Sequence, residues 1–180
     1  MTHPDIQRIL FDSQTIARRV DELASTISRD YRNKSLLAVG VLKGSFIFLA
    51  DLIRAMKLSC EIDFLAVSSY GKQSVTTGAV RILKDTDSDV GGRDVLIVED
   101  ILDSGTTLSY IMNVMNSRRP ASVEICALLD KPERRRTPVD ARYVGFKTPD
   151  EFLVGYGLDY AGRYRNLPYV GILKREVYSE

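Results

Sequence analysis

Hydrophobic and polar positions along the chain change period several times, and each change marks an element. In "ILFDSQTIARRVDELASTISRDY", Ile16, Val20, Leu23 and Ile27 recur at spacings of four, three and four. That is one face of a helix, with Asp12 or Ser13 placed to cap its start. "SLLAVGVL", Ser35 to Leu42, is a continuous apolar run, the pattern of a strand buried on both faces of a parallel sheet. Lys43-Gly44-Ser45 interrupts it, and "FIFLADLIRAM" reads as a second helix. "CEIDFLAVSSY" alternates, the polar "GKQSVTTG" follows without a period, and "AVRILKD" resumes a strand; two strands joined by a long connection are expected. A strand "VLIVED", a helix from about Ser104 to Arg118 and a strand "SVEICALL" complete the alternation. The order predicts an α/β fold, a central, mainly parallel twisted sheet flanked by helices. From Pro149 onward, "PDEFLVGYGLDYAGRYRNLPYVGILKREVYSE" is aromatic and Gly-rich, poor helix material that predicts short strands and loops forming a cap over the sheet edge.

A chain of 180 residues suits one domain, residues 1–180, with a single substantial core. A net charge of +1 offers nothing global to recruit nucleic acid or a membrane. Cys60 and Cys126 each sit in an apolar run at a spacing that fits neither a metal site nor a disulfide framework, so both read as small buried hydrophobes. The start "MTHPDIQRIL" resembles no leader, and no apolar run nears the roughly 20 residues that span a bilayer. The expected location is the cytoplasm.

The candidate chemistry gathers at "VLIVEDILDSGTTL", Val95 to Leu108. In an open parallel sheet, ligands bind beyond the carboxyl ends of the strands. There Ser104, Gly105, Thr106 and Thr107 open a helix whose free N–H groups favour an anion. "GVLKGS" at Gly40–Ser45 fails the spacing of a Walker loop, and "GYGLDYAG" at Gly155–Gly162 fails the dinucleotide pattern. Taken alone, "DSGTT" is equally a capped turn without a ligand. Glu99 and Asp100 tip the balance. Two adjacent carboxylates at a strand end are costly unless hydroxyl donors or a divalent cation compensate them. A ribose 5′-phosphate supplies donors for the acids and an anion for the cradle.

That segment resembles the signature of the type I phosphoribosyltransferases, and "LKGSFIFLADL", "SSYG", "LLDKPERR" and "EFLVGYGLDYAGRYRNLPYVGIL" resemble, in order, loops of the hypoxanthine-guanine branch. The resemblance implies a Mg²⁺-dependent glycosyltransferase of purine salvage. It would move the 5-phosphoribosyl group of phosphoribosyl pyrophosphate to hypoxanthine or guanine, with xanthine a further candidate, releasing IMP or GMP and pyrophosphate. It places the 5′-phosphate on Ser104, Gly105, Thr106 and Thr107, the ribose hydroxyls on Glu99 and Asp100, and the general base toward purine N7 at Asp103, whose plain alternative is the helix N-cap. Lys131 would meet the 6-oxo group, Phe152 would stack on the purine and the Leu153 main chain would meet its edge. Otherwise Lys131 is a solvated strand end and Phe152 a core aromatic. Asp159, with Glu99 and Asp100, would hold Mg²⁺. Lys43, Gly44 and Arg165 would contact pyrophosphate, with a cis peptide suggested at Lys43–Gly44. Ser69 and Tyr70 would begin a lid, unless that loop is only a hairpin connection. Residues from approximately 149 to 180 would contribute to a base-binding hood, and the family's assemblies imply a homodimer or homotetramer.

Two rival classes stay in view. A regulator that kept the site but binds nucleic acid should carry a basic face or an added domain, and often another residue at position 103; the short Arg134–Arg136 run has no interleaved aromatics. A phosphoribosyltransferase for uracil, orotate or adenine shares the central signature but should lack the Lys131 and Phe152–Asp159 segments.

Overall fold

The apolar runs become the inner strands of a six-stranded sheet. The computed structural model describes residues 2–69 and 80–179. Within them the chain runs β1 (Ile6–Phe11), α1 (Ser13–Asp30), β2 (Leu36–Leu42), α2 (Phe46–Ala55), β3 (Glu61–Ser69), β4 (Val80–Lys84), β5 (Asp94–Leu102), α3 (Thr106–Ser117), β6 (Ser122–Asp130), β7 (Tyr143–Lys147), β8 (Leu153–Val154), β9 (Val170–Leu173) and a short α4 (Arg175–Tyr178). Strand order is β4-β3-β2-β5-β6-β7, parallel except for β4, which runs antiparallel at the edge.

The unbroken hydrophobicity of β2, β5 and β6 follows from burial on both faces. Leu36, Ala38, Leu96, Val98, Cys126 and Leu128 pack in one core with α1 and α2, while Leu37, Val39, Val95, Ile97, Ile125 and Ala127 pack in the other with α3. Helices therefore cover both faces, as the alternation predicts. In α1 the predicted stripe is the buried one, and Asp12 is the cap, accepting from Thr15 N at 2.8 Å.

Helix α3 departs from expectation. It starts at Thr106, and its N-cap is Gly105 at φ +83°, with no side-chain cap. Only glycine adopts that left-handed backbone cheaply, and a Cβ there would lie 2.4 Å from Thr137 O. Asp103 is therefore not the cap, which frees its carboxylate for other partners.

The hydrophobic pattern above includes no strand at Ile6–Phe11 or Tyr143–Lys147, yet both form. β1 pairs antiparallel with β9, and β9 with β8, making a three-stranded cap with its own small core of Ile6, Val154, Tyr164, Tyr169 and Leu173. The cap is thus built from both ends of the chain. Cys126 is buried as expected, whereas Cys60, just before β3, is half-buried; both thiols are free. No helix among the described residues is long and apolar enough to cross a membrane.

Candidate active site

Strands β2, β5 and β6 end along one edge of the sheet, and their ends deliver Lys43-Gly44, the Glu99–Ser104 segment and Lys131. Glu99 Oε2 is wholly buried and has no hydrogen-bond partner. Burial, with the neighbouring Asp100 carboxylate, pushes Glu99 well above the usual carboxylate range. Burial also pushes Asp100 up to about 6, against the pull of the Ile101 N–H, which donates to Oδ1 at 2.7 Å, and of the Arg165 guanidinium. A buried carboxylate oxygen without a partner is costly, and Glu99 Oε2 is one.

Gly44 is a glycine because of this pair. A Cβ there would fall 1.5 Å from Asp100 Oδ2, so the β2–α2 turn closes down on the acid only without a side chain. The non-proline cis peptide joins Leu42 to Lys43, one bond before the suggested Lys43–Gly44 position. Lys43 is exposed beside it.

Beyond β5, Glu99, Asp103, Ser104, Gly105 and Thr107 line one side of a cavity of about 240 Å³. The loop after Lys131 closes over this turn: Ser104 O accepts from Arg136 N at 2.9 Å and Thr137 N at 3.0 Å, and Thr106 Oγ1 lies 3.3 Å from Thr137 Oγ1. Arg135 Nη1 donates to Asp103 O at 2.7 Å, while its Nη2 pairs with Asp130. The Arg134–Arg136 run, in the sequence only a weak sign of nucleic-acid binding, thus belongs to this loop, directly after Lys131.

A second cavity, about 340 Å³, adjoins the first through Asp103 and is bounded by Lys131, Arg134, Asp150, Phe152 and Tyr178. Lys131 is 5% exposed, so it is no solvated strand end. Burial lowers its pKa, and its Nζ donates to Glu151 O at 2.6 Å. Phe152 stands at the wall of this cavity, stacked on Tyr178 with centroids 4.7 Å apart and set edge-on to Tyr160 at 5.4 Å. Leu153 is buried in β8. Tyr178, Asp150 and Arg135 belong to the site's surroundings without having been anticipated; only the three-dimensional loop contacts bring them in.

Asp159 and Arg165 form a third group. Arg165 Nη2 meets Asp159 Oδ1 at 2.6 Å and Nη1 donates to Gly157 O at 2.5 Å, while Gly162 N donates to Asp159 Oδ2 at 2.8 Å. Both lie within electrostatic reach of Asp100. Among the described residues no three acidic, histidine or cysteine side chains converge as a metal cage. The donor set, an orphaned Glu99 oxygen and separate carboxylates, suits a hard cation that keeps waters and takes further oxygens from phosphates. Ser69 ends β3, and Tyr70 lies outside the described residues.

A model of the phosphoribosyl transferase domain matches residues 7–161. The hypoxanthine-guanine phosphoribosyltransferase of Bacillus subtilis is 49% identical over 99% of both chains. The bifunctional protein TilS/HprT of Listeria innocua is 50% identical over 99% of this chain, which spans 28% of that protein's length. A crystal structure of a hypoxanthine phosphoribosyltransferase from Staphylococcus aureus matches with a TM-score of 0.95 at 49% identity, covering 99% of this chain and 97% of that one. The chain belongs to the phosphoribosyltransferase family, in its hypoxanthine-guanine branch.

Proposed function

We propose that this site joins hypoxanthine or guanine, with xanthine a further candidate, to the 5-phosphoribosyl group of phosphoribosyl pyrophosphate, giving IMP or GMP and pyrophosphate for purine salvage. The observation that carries the reading is the buried, donorless Glu99 oxygen beside Asp100, one turn from the Ser104–Thr107 cradle. Ribose hydroxyls satisfy the acids, and the 5′-phosphate takes the free N–H groups of α3.

The purine lies in the larger cavity against Phe152, with the Leu153 main chain at its edge. Lys131 donates to the 6-oxo group, which favours 6-oxopurines over adenine, whose 6-amino group is itself a donor. In the reaction C1′–N9 forms as the C1′–oxygen bond to pyrophosphate breaks, and the purine N7 proton passes to the Asp103 carboxylate. Lys43, the Gly44 turn and Arg165 receive the pyrophosphate. Glu99, Asp100 and Asp159 would hold Mg²⁺, which when bound neutralises pyrophosphate and stabilises it as a leaving group. The cap, with residues from about 149 onward, serves as the hood over the base. The reading includes a cytoplasmic enzyme that self-associates as a homodimer or homotetramer, which sedimentation would test.

Incubation with phosphoribosyl pyrophosphate, Mg²⁺ and hypoxanthine should yield inosine monophosphate, followed by ultraviolet absorbance and chromatography. No product from any 6-oxopurine would end this reading.

A further inference from the structure

The Arg134 guanidinium stands between two acids at the mouth of the larger cavity. Its Nε lies 3.4 Å from Asp103 Oδ1 and 3.6 Å from Asp150 Oδ1. Asp103 Oδ1 is buried and lacks a partner of hydrogen-bond geometry, so the contact with Arg134 is one of charge. Yet the Asp103 side chain as a whole is 40% exposed and borders both cavities. The exposure therefore falls on the remainder of the side chain, Oδ2 included. One oxygen is turned inward beside a cation and the other is left for the cavity.

Three facts set this arrangement apart from an ordinary surface ion pair. Exposed pairs contribute only about 0–1 kcal/mol to folding, so stability gives little reason to hold an arginine here. The neighbouring Arg135 already anchors the Asp103 backbone through the carbonyl, which leaves the carboxylate's rotation as the one freedom for Arg134 to restrict. Arg134 also has a second partner. When a carboxylate accepts a proton it loses its attraction for a nearby cation, and Asp150 keeps Arg134 paired through that change. Arg134 follows Pro132 and Glu133 in a single 3-10 turn directly after Lys131, so the loop that supplies the 6-oxo contact supplies this residue too.

We infer that Arg134 is a positioning residue for the purine half of the reaction: it fixes the Asp103 carboxylate with one oxygen directed at the purine imidazole, and shifts its pairing to Asp150 as Asp103 takes the proton. The inference rests on the proposed assignment of Asp103 as the base. Arg134 touches neither reacting atom and acts through Asp103.

Steady-state kinetics on the full chain test it, with wild-type turnover measured first so that an inactive wild type counts against the proposed activity and not against Arg134. Arg134→Gln should lower kcat with hypoxanthine roughly tenfold, because a loosened catalytic group misaligns, with KM for phosphoribosyl pyrophosphate changed less than about twofold. Arg134→Lys keeps the cation and should recover most of kcat. In an Asp103→Asn background, Arg134→Gln should change kcat by less than about twofold, because the group it positions has lost its function. Unchanged kcat in Arg134→Gln, or a further tenfold loss in the Asp103→Asn background, overturns the inference. So does a loss that Lys fails to rescue and that tracks the melting temperature.

Discussion

Two sets of desolvated carboxylates sit beside β2 in the same sheet and behave in opposite ways. Asp63 lies on β3 level with Val39, the middle residue of β2, and Ile97; Glu99 and Asp100 lie on β5, further toward its carboxyl end. Asp63 is 6% exposed, but Phe64 N and Ser88 N each donate to it at 2.7 Å and Lys84 stands 3.7 Å away. Burial pushes its pKa up, and those backbone donors outweigh it and hold the group below the usual carboxylate value. Glu99 Oε2 has no donor and Asp100 has a backbone donor at Oδ1, where Asp63 has one on each oxygen, and both β5 acids move up. Desolvation is common to the two; what differs is whether the fold itself completes the acceptor. The fold completes a structural carboxylate. It leaves the β5 pair incomplete, as the proposed binding of ribose hydroxyls requires.

The largest effect should come from removing the uncompleted pair. Glu99→Gln combined with Asp100→Asn should cut kcat/KM for phosphoribosyl pyrophosphate by about a hundredfold or more, since each charge-assisted hydrogen bond contributes about 1.5–3 kcal/mol. The same variant should melt no lower than wild type in the absence of ligand, and is expected to melt higher, because neutral amides carry less desolvation cost. Thermal unfolding beside kinetics checks both. A joint fall in activity and melting temperature would make the pair structural and erase the contrast.

Asp63→Ala should do the reverse. It strands two backbone donors in partly buried positions, which costs about 2 kcal/mol of stability, while kcat at a saturating substrate level stays at the wild-type value. Urea unfolding measures the first and the standard assay the second. A stable Asp63→Ala protein with impaired turnover would show that the β3 carboxylate also serves the site.

The contrast also marks how far the sequence could be read. Elements with a local cause were legible: the stripe of α1, the continuous hydrophobicity of β2, β5 and β6, and the break at Lys43-Gly44. So was the sheet edge where the candidate residues gather, because topology puts β5's acids and the start of α3 there. β1 was not legible, since Ile6–Phe11 becomes a strand only by pairing with Val170–Leu173 at the far end of the chain, and β7 gains its identity from β6 in the same way. Within the candidate site, residue types pointed to Glu99, Asp100 and the hydroxyl-rich turn. They did not announce that Gly105 would displace Asp103 as the cap, or that the arginines after Lys131 would fold back onto Asp103. Those depend on a loop conformation, and periodicity carries no information about one.

The smallest effect is a pH dependence that separates the two sets within one protein. Asp100 sits at about 6 in the folded chain against an ordinary 3.8. A raised folded value means that stability is whole below 3.8 and is lost as pH rises through about 6. Glu99, also raised, adds a loss in the same direction. Asp63 is lowered, so its contribution is present above the ordinary value and is lost only as pH falls below it, through the folded value. Between pH 4 and pH 7 Asp63 therefore contributes a near-constant amount, and the slope belongs to the site pair. The gap in urea midpoint between ligand-free wild type and Asp100→Asn should widen in favour of the variant across that window. The single histidine, His3, is present in both proteins and largely cancels in the difference. Saturating IMP should flatten the wild-type slope, because hydroxyl donors favour the ionised carboxylates. A gap that stays constant with pH would mean that the β5 carboxylates are already satisfied in the free protein, and the distinction from Asp63 would fail.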